Sequence, residues 1–400
     1  MPLTPIIRFG GDDNAELLRA EVRNWLAQNL PGEFRRTAAN PDYLPREAHD
    51  RAVAFCRALH ARGWFVPHWP AHYEGGGRSI VEQVVIREEL AYAGAPLVNT
   101  NGVNMLAPIL FKFGTPEQQA EHLPLIARSE RMWAQGYSEP EAGSDLAALR
   151  MTARREDDEY VLDGQKTWTS NGVLADWIFV LARTSPVAGK RQAGISFFLV
   201  DMATPGITRR PIRSMIGYPT FAEEFFDDVR VPAANLVGAE GEGWKVGKAL
   251  LDVERSNITR AAQAQRYLDE LIDWCHAQKG STHDPLADPI TRMAVARAVE
   301  RVEVGRALSY RVAHLQAADA LDPALPSLSK LYHSELTAEL RALGAQILGL
   351  AGELMPDDPG AVLDGHFSEG LLLSLLHSIG GGTSEIQRDL ISTAGLGMPR

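Results

Sequence analysis

The order of helical and strand patterns along the chain limits the folds open to it. In the first third, apolar residues such as Leu18, Val22 and Leu26 recur at helical spacing. In the middle, short apolar runs such as Ile195–Val200 are separated by polar turns, which is typical of strands. Helical spacing returns after Gly241. Helices, then strands, then helices, in three blocks, predict an α+β fold rather than alternating βαβ units.

We therefore predict three domains. An N-terminal helical domain covers residues 1–131, a middle antiparallel, β-barrel-like domain covers residues 132–240, and a C-terminal helical bundle covers residues 241–400. A chain of 400 residues is longer than one hydrophobic core usually supports. Strands are expected at Tyr160–Leu162, Trp177–Ala182, Ile195–Val200, Ile207–Thr208 and Glu224–Phe226.

Composition and charge exclude several classes of function. The formal net charge is −11, which argues against a nucleic-acid partner. No apolar run approaches the ~18 residues that cross a bilayer, and residues 1–13 do not resemble a signal peptide. The two cysteines, Cys56 and Cys275, lack metal-ligand spacing and provide no disulfide framework. These features predict a cytoplasmic protein with no structural metal.

Two polar stretches in the strand-rich block combine turn residues with hydroxyl groups. The first, Tyr137–Asp145, contains Pro140 and Gly143 within an otherwise apolar region. Such a stretch predicts a loop that offers backbone N–H groups and short hydroxyls to a ligand. The second, Asp163–Asn171, is a tight turn that leads into Trp168 and two hydroxyl residues.

A third stretch, Gly380–Arg388, lies near the C-terminus. Its three consecutive glycines allow a backbone to approach a ligand closely. Thr383 and Ser384 can cap a following helix, and Ser384 to Gln387 has capping-box spacing. A glycine turn that opens onto a helix N-terminus predicts a pyrophosphate site. A flexible hinge with an ordinary helix cap is the alternative.

In this order, the three stretches resemble those of the acyl-CoA dehydrogenase family of flavoenzymes, and the resemblance covers nearly the whole chain. It implies the same three-domain fold, with FAD as cofactor. Trp168 is then expected to cover one face of the flavin and Ser170 to reach N5, whereas the alternative is that Trp168 fills the β core. The cofactor positions implied by the resemblance are Gln135, Tyr137, Ser138, Trp168, Thr169, Ser170, Thr383 and Glu385, with Gln346 and Gly349 reaching the flavin of a neighbouring subunit.

The resemblance also identifies a candidate catalytic base. Most straight-chain members carry a glutamate where this chain has Gly381, which cannot accept a proton. A minority, including the isovaleryl type, place it on a C-terminal-domain helix, and Glu254 matches that position. Helical spacing from Gly247 to Ala261 places Glu254 within an apolar stripe. The alternative is an ion pair with a base such as Arg255, although adjacent helix residues do not face each other.

The resemblance assigns three further positions to the substrate. Ser144, Arg255 and Gly381 are expected to contact the acyl-CoA thioester.

The chain departs from the family at three places. An Arg-x-x-Phe-Gly stretch found in many members is absent from the region 276–285, the segment 354–369 lacks the usual Arg-Asp pairing, and Leu350 stands where Gly is usual. The first two departures resemble a bacterial branch that handles dicarboxylyl, steroid-side-chain or other bulky thioesters.

The sequence therefore predicts an FAD-dependent acyl-CoA dehydrogenase. Glu254 would remove the α-proton of an acyl-CoA thioester, and flavin N5 would take the β-hydride, giving the trans-2-enoyl product. The resemblance implies electron-transfer flavoprotein as acceptor and a homodimer or homotetramer as the assembly. Two alternatives stay open: an oxidase or monooxygenase of the same fold, and a non-catalytic subunit of a heteromeric dehydrogenase.

Overall fold

A computed structural model describes residues 13–36, 44, 46–187, 189–248 and 256–399. These residues fall into two compact units. The helical unit comprises the described parts of residues 1–39, 78–95 and 255–400, and the sheet unit comprises the described parts of residues 40–77 and 96–254. The N-terminal helical block therefore contributes to both units, and the predicted boundaries at 131 and 240 stay a prediction.

The helices of the described residues follow the expected order. They are α1 (Asp13–Asn29), α2 (Gly32–Arg36), α3 (Arg46–His60), α4 (Ile80–Ala93), α5 (Ala107–Phe113), α6 (Pro116–Ala127), α7 (Gly243–Lys248), α8 (Ile258–Ala277), α9 (Pro289–Ala317), α10 (Leu325–Leu348), α11 (His366–Ile379) and α12 (Ser384–Leu390). Across the described ranges, no helix has both the length and the apolar character needed to cross a membrane.

The strands of the sheet unit form one mixed sheet. They are β1 (Trp133–Gly136), β2 (Thr152–Glu156), β3 (Glu159–Ser170), β4 (Trp177–Arg183), β5 (Ile195–Asp201), β6 (Ile207–Ile212), β7 (Phe221–Pro232) and β8 (Leu236–Val237). Their order is β6-β7-β3-β2-β4-β5-β8, and β1 pairs with β4. All five predicted strands are confirmed. The sheet departs from the expected antiparallel pattern because β4 runs parallel to both β1 and β2.

The apolar helix face predicted in the first block is confirmed. Leu18, Val22 and Leu26 of α1 are buried. Thr115 accepts the N–H of Gln118, whose side chain accepts the N–H of Thr115, and this reciprocal capping box begins α6.

A buried ionic network joins α1, α4 and α9 in the helical unit. Arg19 donates to Glu88 at 2.7 Å and to Glu89 at 2.5 Å. Arg306 donates to Glu88 at 2.8 Å, and the Tyr310 hydroxyl also donates to that carboxylate. Burial favours the neutral acid, but the two guanidinium groups and the hydroxyl outweigh it and lower the pKa of Glu88. The network ties the N-terminal helices to the C-terminal bundle within this unit.

Candidate active site

The two polar stretches of the strand-rich block lie side by side in the sheet unit. The first is a loop that follows β1. The tight turn predicted at the start of the second is wrong, because β3 runs through it to Ser170 with a register shift beside Gly164. The backbone N–H of Thr167 donates to the carbonyl of Ser138 at 2.9 Å, and Lys166 Nζ donates to the carbonyl of Tyr137 at 3.2 Å. The structure therefore brings together the two loops that the sequence assigned to one site.

A buried ion pair holds these loops together, and the sequence analysis did not identify it. Lys166 is fully buried and its Nζ lies 2.8 Å from Oε1 of Glu139. The Glu139 carboxylate also accepts the backbone N–H groups of Arg150 at 2.6 Å and Met151 at 3.0 Å. Burial lowers the pKa of Lys166, and the charge of Glu139 opposes that shift. The one sequence signal for this ion pair was Lys166 itself, a lysine at a strand position where an apolar residue is usual.

A β-bulge aims Trp168 out of the sheet. The pairing of β3 with β7 shifts register between Lys166 and Thr169. Trp168 lies in this irregularity with φ of 60°, a left-handed conformation that is unusual for an aromatic residue. Its side chain is 61% exposed and meets Phe221 edge to face at 5.9 Å. Bulges of this kind re-aim side chains beside functional sites, so the alternative that Trp168 fills the β core is wrong.

The residues that follow Trp168 divide between the core and the surface. Thr169 is buried, and its hydroxyl donates to Oε2 of Glu224 at 2.5 Å. Because this hydroxyl is already bonded to Glu224, Thr169 would contact a cofactor through its backbone atoms. Ser170 is half-buried, and its carbonyl accepts from the amide of Asn101 at 3.5 Å.

Tyr137 is enclosed by aromatic and glycine neighbours in the sheet unit. Its ring meets Phe179 and Phe197 edge to face at 5.9 Å and 6.4 Å. A Cβ at Gly247 of α7 would lie 3.0 Å from the Tyr137 hydroxyl, so glycine allows α7 to pack there. Burial raises the pKa of Tyr137, which therefore stays neutral. Gln135 and Ser138 are half-buried on either side of it, whereas Ser144, farther along the loop, is exposed.

The C-terminal glycine turn is held in the helical unit by a lysine. Lys330 Nζ donates to the carbonyls of His377 at 3.0 Å and Gly382 at 2.6 Å. Burial and the charge of Arg260 lower the pKa of Lys330 to about 8. Gly381 has φ of 66°, and nothing lies within 4 Å of a Cβ placed on it.

Thr383, and not Ser384, caps the helix that follows this turn. The Thr383 hydroxyl accepts the N–H of Ile386, and α12 begins at the next residue. The Gln387 amide donates to the carbonyl of Gly381 at 3.3 Å. The predicted Ser384–Gln387 capping box is therefore wrong, because the helix starts one residue earlier than that spacing requires. Thr383 is half-buried and Glu385 is exposed.

The predicted cross-subunit residues lie at the end of α10. Gln346 is on its last turn, and Gly349 ends the helix with φ of 60°. Leu350, at the position where the family usually has glycine, is 85% exposed. Both predicted residues therefore lie at the C-terminal end of α10.

The predicted base, Glu254, and its neighbour Arg255 lie outside the described residues. The single helix predicted from Gly247 to Ala261 is wrong, because α8 begins only at Ile258 and Asn257 before it has φ of 55°. The Ser329 hydroxyl donates to the carbonyl of Ser256 at 3.1 Å, and the Asn257 amide donates to Ser329 at 3.2 Å. The chain that leaves the predicted base is thus anchored to α10.

The described residues of the sheet unit fit a flavin. Trp168 presents an exposed indole ring from a strained backbone, and the half-buried Ser138 and Ser170 lie beside it. Together they offer a flat apolar face and polar groups for the edge of a flavin ring. Among the described residues, no cluster of His, Cys, Asp and Glu is arranged to hold a metal ion. This pair of loops is thus compatible with the class of protein that the resemblance implies, the flavin-dependent oxidoreductases.

Comparison with family models identifies the class more closely. The N-terminal, middle and C-terminal acyl-CoA dehydrogenase domain models match residues 12–130, 134–229 and 241–396. The chain belongs to the acyl-CoA dehydrogenase family, whose members are FAD-dependent oxidoreductases.

Similar proteins include other acyl-CoA dehydrogenases, one of them named a steroid ACAD. The chain is 39% identical over 395 residues to acyl-CoA dehydrogenase IpdE1 of Mycobacterium tuberculosis, covering 97% of this chain and 98% of that protein. Among solved structures, the Tcur3481-Tcur3483 steroid ACAD matches with a TM-score of 0.88 at 34% identity, covering 98% of this chain and 100% of that one. The ChsE4-ChsE5 complex from Mycobacterium tuberculosis matches with a TM-score of 0.85 at 34% identity, over 98% and 100% of the two chains.

Proposed function

We propose that this protein binds FAD non-covalently and desaturates an acyl-CoA thioester to the trans-2-enoyl-CoA. The observation that carries the proposal is the joining of the two sheet-unit loops, where the buried Glu139–Lys166 pair presents Trp168 beside Ser138. Family membership supports the reaction type, and the resemblance supports Thr383, Glu385, Gln346 and Gly349 as further cofactor contacts.

We assign a separate role in the reaction to each of four residues. Glu254 takes the α-proton, since a thioester α-carbon needs a positioned base to lose a proton at a useful rate. Gly381 leaves open the space that a side chain would fill, and Arg255 and Ser144 contact the thioester. FAD, when bound, supplies the acceptor for the β-hydride. Electron-transfer flavoprotein then reoxidises the enzyme.

The proposed substrate class is a bulky acyl-CoA, such as a steroid side-chain thioester. One structure similar to this chain at 34% identity supports it, because that protein is named a steroid ACAD. The open space at Gly381 also suits a wide substrate. The alternative function is that of an oxidase with the same fold, which would consume oxygen after the substrate has reduced it.

The proposed function is tested by the mass of the product. The protein is incubated with an electron-accepting dye and two groups of thioesters, straight-chain and polycyclic, and the products are analysed by mass spectrometry. We expect loss of two hydrogens from a polycyclic thioester. Hydrogen loss confined to straight-chain thioesters would contradict the substrate class, and no loss from any thioester would contradict the reaction.

Ser144→Ala should raise the KM for the acyl-CoA thioester more than it lowers kcat. Ser144 is exposed at the outer end of the first loop, away from the half-buried Ser138. A contact with the CoA arm is made equally in the ground and transition states, so its loss weakens binding without slowing chemistry. Steady-state kinetics with the best thioester provide the measurement, and Ser185→Ala, another exposed serine of the sheet unit, is the matched control. An unchanged KM rejects the assignment.

We also propose that the protein works as an oligomer, either of this chain alone or with a related subunit. The helical unit exposes large apolar side chains that a partner would cover, among them Ile290, Met293, Leu350, Leu375 and Ile379. The similarity to the ChsE4-ChsE5 complex supports a heteromer, and the resemblance to the family supports a homodimer or homotetramer. A partner chain would bring the Gln346 and Gly349 region to a second flavin.

Light scattering of the purified, yellow protein is expected to give at least twice the mass of the chain. A heteromer predicts instead that this chain is colourless alone and gains flavin when it is produced with a related subunit. A flavin-loaded monomer would overturn both forms of the assembly.

A further inference from the structure

A buried carboxyl group lies beneath the turn that carries Trp168. Glu224 of β7 has no exposed surface. Its Oε2 accepts from Thr169 at 2.5 Å, and its Oε1 has no hydrogen-bond partner among the described residues. Buried polar atoms are nearly always paired, so an orphaned carboxyl oxygen requires a reason.

The turn above Glu224 is built around this carboxyl group. A Cβ at Gly172 would lie 2.1 Å from Oε1 of Glu224, so the turn closes over the carboxyl only because residue 172 is glycine. Trp168 and Asn171 both have left-handed backbones, with φ of 60° and 61°. Two strained non-glycine residues persist only where their surroundings hold them. We call residues 168–172 the cofactor turn.

The charged groups around Glu224 do not neutralise it fully. On β6, Arg209 is the register partner of Glu224, but its guanidinium donates to the carbonyls of Gly172, Val173 and Ala175 at 3.4, 3.3 and 3.0 Å. On β3, Lys166 is the opposite partner, but its ammonium pairs with Glu139. Within the part of the chain that the structure describes, the one further charged group that acts on Glu224 is Glu223, the next residue on β7.

We propose that Glu224 is a positioning residue for the cofactor turn, and that the gain or loss of its proton controls how tightly the turn binds the flavin. The proposal rests on the proposed flavin site. A neutral carboxyl accepts from Thr169 and fits beneath Gly172 without the need for water. A carboxylate there must be hydrated, and water can reach it only if the turn loosens. Loosening moves Trp168 away from the ring that it covers.

The expected pH range follows from the burial of this acid. Desolvation raises the pKa of Glu224 to about 7, while Thr169 and Arg209 act in the opposite direction. An acid whose folded pKa is raised binds its proton more tightly in the folded state. Its contribution to stability is therefore present at low pH and is lost as the pH rises from about 4.5 to about 7. Flavin affinity should change in the same pH range, near pH 7, because Glu224 ionises there.

Glu224→Gln tests the role, because glutamine keeps the shape and cannot ionise. Apoprotein is titrated with FAD between pH 6 and pH 8.5, with Glu223→Gln as the matched control on the same strand. For wild type and Glu223→Gln we expect the FAD dissociation constant to rise by up to about tenfold per pH unit above the pKa, the limit for one linked proton. For Glu224→Gln we expect it to stay at the low-pH value.

A second measurement needs no flavin. The infrared difference spectrum between wild-type and Glu224→Gln apoprotein should show a protonated carboxyl band at pH 6 that disappears by pH 8.5. Flavin binding with the same pH profile in wild type and Glu224→Gln would overturn the role of Glu224 alone, as would absence of the band at pH 6. A protein that binds no flavin at any pH would overturn the proposed function together with this inference.

Discussion

Glu254→Gln should lower kcat for acyl-CoA desaturation by about 10²–10⁴-fold, the usual contribution of a general base. Glutamine keeps the shape of the side chain and loses its ability to accept a proton. Flavin content should be unchanged, because Glu139 and Lys166 hold the cofactor loops of the sheet unit together. The measurement is steady-state turnover per mole of bound flavin.

The matched control is Glu242→Gln, which makes the same chemical change at a half-exposed glutamate near the start of α7. A variant that combines Glu254→Gln with Gly381→Glu should recover part of the activity, since nothing lies within 4 Å of a Cβ at Gly381. Recovery will be incomplete because φ of 66° strains any residue with a Cβ, at a cost of about 1–2 kcal/mol. Full turnover of Glu254→Gln would place the base elsewhere.

Lys166→Met should destabilise the sheet unit by about 3–5 kcal/mol, the usual cost of removing one partner from a buried ion pair. The variant leaves the Glu139 carboxylate buried with only the N–H groups of Arg150 and Met151 as donors. It also removes the hydrogen bond from Nζ to the carbonyl of Tyr137, which helps to join the two cofactor loops. Weaker flavin binding should accompany the loss of stability. Urea unfolding and FAD titration measure the two effects.

The double variant Lys166→Met with Glu139→Gln distinguishes the loss of the ion pair from the cost of leaving one buried charge unpaired. It should be more stable than Lys166→Met, because no unpaired charge stays in the core. Lys190→Met, at an exposed position of the sheet unit, is the control and should change the free energy of unfolding by less than about 0.5 kcal/mol. Equal stability of Lys166→Met and wild type would show that the pair does not hold the loops.

The sequence predicted the parts of this fold that follow from local pattern. Helix α1 and the predicted strands depend on apolar periodicity, which is visible in a single chain. The first cofactor loop was also predicted, because turn residues and hydroxyls cluster in Tyr137–Asp145. The tight turn predicted at the start of Asp163–Asn171 is wrong, because β3 continues through it to Ser170. The resemblance to a known family connected the two stretches to one ligand.

The features that the sequence did not reveal depend on contacts between distant residues. Lys166 and Glu139 lie 27 positions apart, and only the fold shows that they pair. Glu224 and Thr169 are separated by 55 positions, and an acid on an alternating strand would be assigned to the solvent face. The helix break at Asn257 was missed because an asparagine within an apolar pattern does not by itself indicate a left-handed backbone.

The most direct test of the central claim is an anaerobic titration of the purified protein with its best acyl-CoA thioester, followed by flavin absorbance. The account predicts that the thioester bleaches the flavin to the same extent as dithionite does, with enoyl-CoA formed in equal amount. A flavin that dithionite bleaches but that no acyl-CoA thioester reduces would contradict it.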